Sequence, residues 1–303
     1  MAIETYEELD LAKIQKELNV SPRRISNLAI SRDVLNDIYL SFQTSRKTLE
    51  ELRAEILSLL NEKLSGCVHS VRCRIKDKDH LIEKIIRNVN ERPEKYSGIC
   101  KDNYNKIITD LIGVRIIILD KRDWFEVHQS LLEIFENDPQ KYAVSSRDII
   151  ENFDKYSAKN KQRQESYHAE KPVVYITSED DREIYKDDNL RIDNSKTHYR
   201  SIHYIIRYKK IYFEIQVRTL FEEGWLEFDH RIKYPYDRNN KAKQEYASIL
   251  SSLAVAADRL ISFYNEDDFV KDTETDKIEV VESVGCKEIQ TKQSLEDKMK
   301  FMF

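Results

Sequence analysis

Three polar side chains that could do phosphate or metal chemistry alternate along the segment 211–219. Glu214, Gln216 and Arg218 are separated there by aromatic and β-branched residues, which favour a β-strand. Successive side chains of a strand point to opposite faces, so the carboxylate, the amide and the guanidinium share one face while the apolar residues form core. The same pattern is typical of an ordinary half-exposed sheet face, so a functional interpretation depends on the rest of the chain.

A second carboxylate, Asp110, shortly precedes the apolar run 114–119, which is typical of a central strand. This carboxylate could bind a metal ion or cap a turn. Gly113 permits a close approach to the backbone, and Arg115 places a charge in an otherwise apolar strand, where it needs an anionic partner. Asp110 and Arg115 are therefore candidates for a site at the start of this strand.

Positive charge is concentrated in the segment 68–87. Residues 68–75 have strand character, and an amphipathic helix follows, which Asp79 could cap. The cations that share this neighbourhood are Arg72, Arg74 and Lys76 from the strand and Lys84 and Arg87 from the helix. A phosphate clamp and a solvated basic face both fit this pattern.

A hairpin is expected to complete the polar surface. The segment 198–207 has strand character, and the short turn Lys209-Lys210 joins it to the strand that carries Glu214. Tyr199 and His203 share one face of the first strand. We therefore expect the aromatic ring of Tyr199 and the imidazole of His203 close to the carboxylate of Glu214.

Helices are expected on both sides of these strands, because apolar residues recur at intervals of three and four. The predicted helices are 31–64, stopped by Ser65 and Gly66, then 124–135, 220–235, ended by Pro235, and 244–264. The apolar stripe of the last helix, which in an amphipathic helix faces a core, consists of Tyr246, Leu250, Leu253, Ala257, Leu260 and Tyr264. The polar region 137–197 is interpreted as a long loop at the mouth of a site, with one strand at 173–176.

The predicted fold class is α+β, a mixed β-sheet flanked by helices, with helical N- and C-terminal extensions. The chain is divided into an N-terminal helical region 1–64, a domain 65–235 that carries the candidate site, a C-terminal helix 236–265 and a poorly packed acidic tail 266–303.

Composition limits the class of protein. At 303 residues the chain can bury a core without disulfide or metal staples, and 35% charged residues with five glycines favour a helix-rich soluble protein. The net charge of −5 argues against a broad electrostatic footprint for long nucleic acids, but it allows a local basic pocket for a nucleotide. The four cysteines have no zinc-binding spacing, and we find no signal peptide and no apolar run of about eighteen residues. We expect a cytoplasmic protein with reduced thiols and no membrane association.

Five short motifs occur in the order found in RelA/SpoT synthetase domains, which the chain resembles from about residue 65 to residue 235. The motifs are Arg74-x-Lys76 with Lys84 and Arg87, Asp110-x-x-Gly113-x-Arg115, Tyr199-Arg200-Ser201-x-His203, Glu214-x-Gln216-x-Arg218-Thr219 and Trp225-x-Glu227-x-x-His230. The flanking helices resemble, less specifically, those of the small single-domain alarmone synthetases.

The resemblance implies a nucleotidyltransferase-like fold that moves the β,γ-pyrophosphate of ATP to the 3′-hydroxyl of GDP or GTP. By motif position, the residues that would hold the ATP phosphates are Arg74, Lys76, Lys84, Arg87 and Arg115. Asp110 and Glu214 would be the catalytic carboxylates and would bind Mg²⁺ together. Tyr199 would stack on the guanine and His203 would contact the acceptor phosphates. Gln216 and Arg218 would lie on the acceptor side, although a structural role also fits these two and Trp225, Glu227 and His230.

Two departures from the family pattern fall in the acceptor-binding loop. His198 stands where the family usually has Gly before the stacking Tyr, and a Pro-Lys pair upstream is missing, with only Lys196 nearby. The sequence therefore does not fix the identity of the acceptor. One alternative is a toxin relative that pyrophosphorylates the tRNA 3′-CCA end or makes adenine alarmones, with a neutralising antitoxin as partner. Another is a non-enzymatic nucleotide-binding or oligomerisation module.

Two further expectations follow from the resemblance. The sequence has no His-Asp metal pair with the spacing of an alarmone hydrolase, so we expect a synthetase without degrading activity. Self-association into a homo-oligomer through the flanking helices is also implied by the resemblance. The expected small-molecule partners are ATP with GDP or GTP.

Overall fold

The computed structural model describes residues 6–18, 20–135, 166–195, 198–233 and 240–265. Within these ranges the helices are α1 (Leu11–Glu17), α2 (Pro22–Ser26), α3 (Arg32–Thr44), α4 (Arg46–Lys63), α5 (Lys78–Glu91), α6 (Pro93–Tyr96), α7 (Tyr104–Ile107), α8 (Trp124–Ile134), α9 (Leu220–Lys233) and α10 (Lys241–Tyr264). The strands are β1 (Ser70–Ile75), β2 (Ile112–Ile118), β3 (Ser166–His168), β4 (Val173–Ile176), β5 (Arg191–Asn194), β6 (Ser201–Tyr208) and β7 (Ile211–Thr219). The first compact unit of the chain ends at Phe263 and contains all of these strands.

The strands of the described ranges form one mixed sheet. Their order is β1-β2-β7-β6-β4-β5, and β3 pairs with β6. The pairs β2–β7 and β4–β5 are parallel, whereas the other pairs are antiparallel. The predicted α+β class, a mixed sheet flanked by helices, is confirmed. Strands β2 and β7, which carry Arg115 and Glu214, lie side by side within the sheet.

The strand register arranges the polar residues in two rows. Residues paired across neighbouring strands project from the same face of a sheet. One row consists of Arg74, Gly113 and Glu214, and the other consists of Arg72, Arg115, Gln216 and His203. We call this side of the sheet the site face. It places the predicted donor residues Arg74 and Arg115 on β1 and β2, and the predicted acceptor residues His203 and Gln216 on β6 and β7.

The opposite face of the sheet forms the core. Its central side chains are almost wholly buried, namely Val114, Ile116, Tyr204, Ile215 and Val217. Helix α4 packs against β1, and the ring nitrogen Nδ1 of His128 on α8 lies 3.1 Å from the Tyr204 hydroxyl. Each buried aliphatic or aromatic side chain of this kind contributes about 1.5–3 kcal/mol to folding. The core thereby holds β2 and β7 rigidly beneath the site face.

The predicted helical region 31–64 consists of two helices, α3 and α4. Ser31 caps α3, because its hydroxyl accepts a hydrogen bond from the backbone N–H of Val34 at 3.2 Å. After α4, Gly66 has a φ of +97°, a left-handed conformation that favours glycine. The predicted stop at Ser65 and Gly66 is therefore confirmed.

The N-cap of α5 is Asp77, so the prediction that Asp79 caps this helix was wrong. The Asp77 carboxylate accepts hydrogen bonds from the backbone N–H groups of Asp79 at 2.8 Å and His80 at 3.1 Å. Asp79 instead accepts a hydrogen bond from the Tyr39 hydroxyl at 3.0 Å. Both acids stand at the start of the helix, and the tertiary partner on α3 decides which one caps it.

The predicted hairpin is confirmed. Strands β6 and β7 pair in antiparallel fashion from Ile202 opposite Val217 to Tyr208 opposite Ile211. The turn residues Lys209 and Lys210 have φ values of +46° and +74°, as a two-residue hairpin turn of the mirror-image type requires. This turn fixes the register that places the acceptor residues beside Glu214.

The prediction of a long loop over 137–197 was wrong for its described part, 166–195. Strand β4 was predicted, but β3 and β5 were not. These strands have three and four residues, which is too short for a periodic pattern to appear in the sequence. Their pairing with β6 and β4 defines them. Residues 137–165 and 196–197 lie outside the described residues, as do Pro235 and the tail 266–303.

Helix α10 turns most of its apolar stripe to solvent. Tyr246, Leu253 and Leu260 are 65%, 60% and 68% exposed. The packed face consists of Ala247, Ser251, Ala254, Val255 and Asp258. By length and composition alone α10 could cross a membrane, which is a weak indication for a helix that packs one face on its own chain. The exposed stripe needs a different explanation.

Candidate active site

Asp110 lies in the turn before β2 and binds two lysines of the predicted donor site. Its Oδ2 atom is 2.8 Å from Nζ of Lys76, which follows β1, and 2.8 Å from Nζ of Lys84 on α5. Burial, the largest influence, raises the pKa of Asp110, but the charges of Lys84 and Lys76 outweigh it and hold the pKa well below its usual range. Asp110 is therefore an ionised carboxylate between two cations.

The other carboxylate oxygen of Asp110, Oδ1, is buried and has no hydrogen-bond partner among the described residues. Such an oxygen is unusual, and a divalent cation would satisfy it. In the same ranges, no group of three or more His, Cys, Asp or Glu side chains could hold a metal ion. Mg²⁺ is usually bound through one or two carboxylates plus substrate phosphates and water. Asp110 therefore fits a magnesium ion that arrives with a nucleotide.

Glu214, in the middle of β7, interacts with two other residues of the site face. Nδ1 of His203 lies 2.8 Å from Oε1 of Glu214, and Nε2 of Gln216 donates to Oε2 at 3.1 Å. Burial, the largest influence, raises the pKa of Glu214, but the hydrogen bond from His203 and the charge of Lys84 oppose it, and the pKa is lowered. A carboxylate with a lowered pKa is a weak base and a good ligand for a cation.

Asp110 and Glu214 lie within electrostatic range of each other, as the sequence predicts. Strands β2 and β7 are neighbours, and Gly113 pairs with Glu214 in their register. The charges of Asp110 and Lys84 both act on the pKa of Glu214, which requires the two carboxylates to be within electrostatic range. The structure therefore brings the predicted catalytic pair together. Their chemical roles stay predictions.

Arg74 and Arg115 add two guanidinium groups to the site face. Arg74 is exposed and crosses Gly113, where a β-carbon would lie 3.9 Å from Cγ of Arg74. Nη1 of Arg115 lies 2.5 Å from Oε1 of Glu223 and also binds Glu227, both on α9. The anionic partner that the sequence requires for Arg115 is therefore supplied by α9.

Arg87 differs from the other predicted donor residues, because it pairs within its own helix. Its Nε atom lies 3.0 Å from Oε1 of Glu83, one turn earlier on α5. Glu83 is buried, and a buried carboxylate needs a cation beside it. Arg87 thus has a structural task in α5, and its contact with ATP stays a prediction from motif position.

The predicted acceptor residues form one hydrogen-bonded group. Nη2 of Arg218 donates to the Tyr199 hydroxyl and to Oε1 of Gln216, both at 2.6 Å. The Tyr199 hydroxyl lies 2.6 Å from Nε2 of His203. The other ring nitrogen of His203 contacts the carboxylate of Glu214 on β7. The expectation that Tyr199 and His203 approach that carboxylate is confirmed. Gln216 and Arg218 have structural partners here, in line with the alternative open for them from the sequence.

The ring of Tyr199 is packed by several neighbours. The guanidinium carbon of Arg218 lies 5.3 Å from the ring centre, and the ring also packs against Trp225 and Leu226. The ring of Tyr175, on β4, meets Tyr199 edge-on at 5.8 Å and His203 at 4.9 Å. Tyr175 was not found from the sequence, because β4 carried no motif. Stacking of Tyr199 on a guanine stays a prediction.

The departure at His198 has a physical consequence. His198 has a φ of +61°, in the left-handed region that a β-carbon makes unfavourable by about 1–2 kcal/mol. Glycine is the residue that adopts this conformation without strain, which explains why glycine suits the position before the stacking Tyr. The backbone is therefore strained at His198, directly before the predicted acceptor residue Tyr199.

We predict that His198→Gly raises the free energy of unfolding by about 1 kcal/mol, because it removes the strained β-carbon. Urea denaturation at pH 7 measures this. His198→Ala is the control, since it removes the imidazole and keeps the β-carbon, and it should not be more stable than the wild type. Equal stability of the Gly and Ala variants would contradict the prediction.

A buried cluster of charges beside the site was missed by the sequence analysis. Nζ of Lys121 lies 3.1 Å from Oε1 of Glu222 and also binds Asp180. The Arg200 guanidinium lies 4.0 Å from each of these carboxylates. Burial, followed by the charge of Glu222, raises the pKa of Asp258 on α10 to about 7. The cluster joins the loop after β2, the loop after β4, the start of β6 and α9.

Part of this cluster carried a signal in the sequence. Thr219-x-x-Glu222 is a capping box, in which the Glu222 N–H donates to the Thr219 hydroxyl at 3.1 Å and the Thr219 N–H donates to the Glu222 carboxylate at 3.0 Å. Lys121 and Glu223 have no such signal, because their partners are distant in sequence. Glu223, which joins Arg115 to Arg218, is the most important residue that the sequence analysis did not identify.

The fold and the site define an α+β domain with two carboxylates and several cations close together. The family described as the region found in RelA / SpoT proteins matches residues 73–239, which include every predicted site residue. The chain belongs to the RelA/SpoT family, whose members are synthetases of the pyrophosphokinase type. The resemblance inferred from the motifs is confirmed. A comparison with curated proteins found no match.

Several solved structures are similar to this chain. A GTP pyrophosphokinase family protein from Streptococcus pneumoniae is 18% identical, with a TM-score of 0.46, over 79% of this chain and 95% of that chain. The small alarmone synthetase 1 from Bacillus subtilis is 16% identical, with a TM-score of 0.45, over 77% and 95%. A structure of that synthetase bound to its product pppGpp is 17% identical, with a TM-score of 0.45, over 76% and 94%. The family assignment rests on the matched region and not on these distant similarities.

Proposed function

We propose that this protein transfers the β,γ-pyrophosphate of ATP to the 3′-hydroxyl of GDP or GTP, and so makes (p)ppGpp with Mg²⁺ as cofactor. Membership of a pyrophosphokinase-type family supports the reaction class. The observation that carries the proposal is that Asp110 pairs with Lys76 and Lys84 and lies within electrostatic range of Glu214. A cytoplasmic location is proposed as well, which is supported by the unpaired state of the cysteines in the described ranges.

In this reaction the 3′-oxygen attacks the β-phosphorus of ATP. The bond from that phosphorus to the oxygen bridging the α-phosphate breaks and AMP leaves. The hydroxyl gives up its proton to a general base, for which Glu214 is the candidate. The protein mainly has to align the two oxygens and neutralise developing charge. We propose that the donor phosphates are held by Arg74, Lys76, Lys84, Arg87 and Arg115. Asp110 and Glu214 would hold the Mg²⁺, which supplies further positive charge at the phosphates.

On the acceptor side we propose that Tyr199 stacks on the guanine and His203 contacts the acceptor phosphates. Stacking contributes about 1–3 kcal/mol per base but does not select guanine. The tRNA alternative needs a basic surface beside Tyr199 to hold the nucleic acid, and the net charge of −5 argues mildly against it. An antitoxin partner belongs to that alternative alone.

The acceptor is tested by incubating the pure protein and Mg²⁺ with γ-labelled ATP and, separately, with GDP, GTP, ATP and bulk tRNA. We expect the label on GDP and GTP and no transfer when EDTA removes the metal. Label found only on tRNA or on adenine nucleotides would replace the proposed acceptor with one of the alternatives. Absence of transfer to every acceptor would favour a nucleotide-binding module.

We also propose that two copies of the chain associate through α10. Exposed apolar residues of α10 recur at alternating intervals of three and four and form an exposed stripe, namely Tyr246, Ile249, Leu253, Ala256, Leu260 and Phe263. This alternation is the heptad pattern by which two helices pack along a common seam. Two such stripes would bury roughly 1,000 Å² together, near the lower limit for a specific interface.

Leu253→Glu, in the middle of the stripe, is expected to convert a dimer into a monomer, because a charge cannot be buried there without a partner. Size-exclusion chromatography with light scattering at micromolar concentration measures the mass. Gln244→Glu is the matched control, since Gln244 is exposed on the same helix but outside the stripe. A wild-type protein that is monomeric at tens of micromolar would contradict the proposal.

A further inference from the structure

Glu223 joins the donor side of the site to the acceptor side. Its Oε1 atom lies 2.5 Å from Nη1 of Arg115, and its Oε2 atom lies 2.8 Å from Nη1 of Arg218. Glu223 and Arg218 are both buried. Glu227, the other partner of Arg115, has a side chain that is 61% exposed. The two acids of α9 therefore have different tasks, and only Glu223 reaches both guanidinium groups.

A continuous series of hydrogen bonds leads from Arg218 to Glu214. Nη2 of Arg218 lies 2.6 Å from the Tyr199 hydroxyl, which lies 2.6 Å from Nε2 of His203. Nδ1 of His203 lies 2.8 Å from Oε1 of Glu214. We call this series the Arg218–Glu214 relay.

The direction of the relay follows from its first member. A guanidinium only donates hydrogen bonds, so the oxygen of Tyr199 accepts from Arg218. The Tyr199 O–H is then placed to donate to Nε2 of His203, and a ring nitrogen that accepts this hydrogen bond carries no proton. The remaining proton of the neutral imidazole sits on Nδ1 and is donated to Glu214. The relay therefore sets the tautomer of His203 and the direction from which Glu214 receives its hydrogen bond.

We propose that Glu223 is a positioning residue, which orients the Arg218–Glu214 relay and couples it to the donor cation Arg115. Its negative charge lies between two guanidinium groups that would otherwise repel each other, and its rigid contact with Nη1 turns Nη2 of Arg218 toward Tyr199. A donor phosphate that binds Arg115 would act on the same carboxylate. Donor binding would thereby be communicated to Glu214 on the acceptor side.

Glu223→Gln tests the orienting role without changing the shape of the side chain. The amide removes the negative charge, so Arg218 loses its fixed direction and the Tyr199 hydroxyl is free to turn. We expect His203 to change from one neutral tautomer to a mixture of both. Tyr199→Phe is the second variant, because it removes the hydroxyl while the contacts of Glu223 with Arg115 and Arg218 stay intact, and it should give the same mixture.

The tautomer of His203 is measured by ¹⁵N NMR of the imidazole at pH 8, with its signals assigned by their loss in His203→Gln. The wild type should show an unprotonated Nε2 and a protonated Nδ1. Glu227→Gln is the matched control and should leave this spectrum unchanged. Of the two residues Arg115 and Arg218, Glu227 contacts only Arg115. A wild-type His203 spectrum in Glu223→Gln, or an equal change in Glu227→Gln, would overturn the proposal.

The kinetic consequence rests on the proposed function, whereas the tautomer does not. In the transfer assay, Glu223→Gln should lower kcat at least about 10-fold with little change in the KM for ATP, and Glu227→Gln should alter that KM more than kcat. If Glu223→Gln and Glu227→Gln changed the KM for ATP equally, Glu223 would only hold Arg115 in place and would not orient the relay. If the wild type transfers no pyrophosphate, the proposed function is wrong. The NMR result still decides whether Glu223 orients the relay.

Discussion

Glu214→Gln is expected to lower kcat for pyrophosphate transfer by at least about 100-fold, which is the usual effect of removing a group that stabilises charge at a reacting centre. The substitution is isosteric, so the effect is electrostatic. The lowered pKa of Glu214 means that the wild type presents an ionised carboxylate on the site face, and an amide cannot replace that charge. Initial rates at saturating ATP and GDP measure the change.

Two controls make this result specific. Glu183→Gln removes an exposed carboxylate that pairs with the exposed Lys186, so it should retain the wild-type rate. Raising the Mg²⁺ concentration should partly restore the transfer rate of Glu214→Gln, because a weakened metal site is filled again at a higher metal concentration. If Glu214→Gln retained the wild-type rate, Glu214 would be neither ligand nor base. A deficit that Mg²⁺ does not relieve would point to the base role.

Lys121→Met is expected to lower the free energy of unfolding by about 3–5 kcal/mol, the usual cost of removing one partner from a buried ion pair. Lys121 is the shared cation of Asp180 and Glu222, and methionine would leave both carboxylates without its charge. Burial lowers the pKa of Lys121, but the charges of Glu222 and Asp180 outweigh it and raise the pKa. Urea denaturation at pH 7 measures the loss of stability.

The pH dependence of this loss follows from three pKa shifts. The raised pKa of Lys121 means that its contribution is complete below the ordinary lysine value of about 10.4. The lowered pKa of Asp180 means that its contribution is complete above about pH 4 and is lost as the pH falls further. The difference between wild type and Lys121→Met should therefore be constant between about pH 5 and about pH 6. It should grow as the pH rises through about 7, where Asp258 ionises, because the charge of Lys121 stabilises the ionised form of Asp258.

Lys186→Met is the matched control for Lys121→Met. Lys186 pairs with Glu183, but their side chains are 71% and 73% exposed, so removing this pair should change stability by less than about 1 kcal/mol. If Lys121→Met lost no more stability than Lys186→Met, the buried cluster would not stabilise the fold. A difference that grew below pH 4 would contradict the assigned direction of the Asp180 shift.

The site face could be predicted because a strand has a strict period of two. Once the segment 211–219 was identified as a strand, the common face of Glu214, Gln216 and Arg218 followed from geometry alone. The short hairpin turn then fixed His203 next to Gln216. The parallel pairing that brings Asp110 beside Glu214 leaves no signal in the local sequence, because it depends on the order of distant strands. The family resemblance supplied that part.

Helix α10 shows what periodicity does not reveal. An alternation of three and four identifies an apolar stripe, but it does not say whether that stripe meets the same chain or another surface. The packed face contains Ser251 and Asp258, which a hydrophobic pattern marks as exposed. Asp258 is buried because the charged cluster of Lys121 and Glu222 lies beside it, and no local pattern contains that information.

The positioning role of Glu223 was beyond sequence reasoning for a similar reason. Its partners Arg115 and Arg218 lie on two neighbouring strands, and the acid itself looks like an ordinary residue of a helix N-terminus. The left-handed backbone at His198 was equally hidden, although the expected glycine at that position pointed to it.

The most direct test of the central claim is a crystal structure with Mn²⁺ in place of Mg²⁺ and a non-hydrolysable ATP analogue. The anomalous signal of manganese identifies the metal position without ambiguity. We predict a peak within about 2.2 Å of carboxylate oxygens of both Asp110 and Glu214, with the analogue phosphates completing the metal shell. Manganese bound to the nucleotide elsewhere, with Asp110 and Glu214 on no common ion, would contradict the proposed active site.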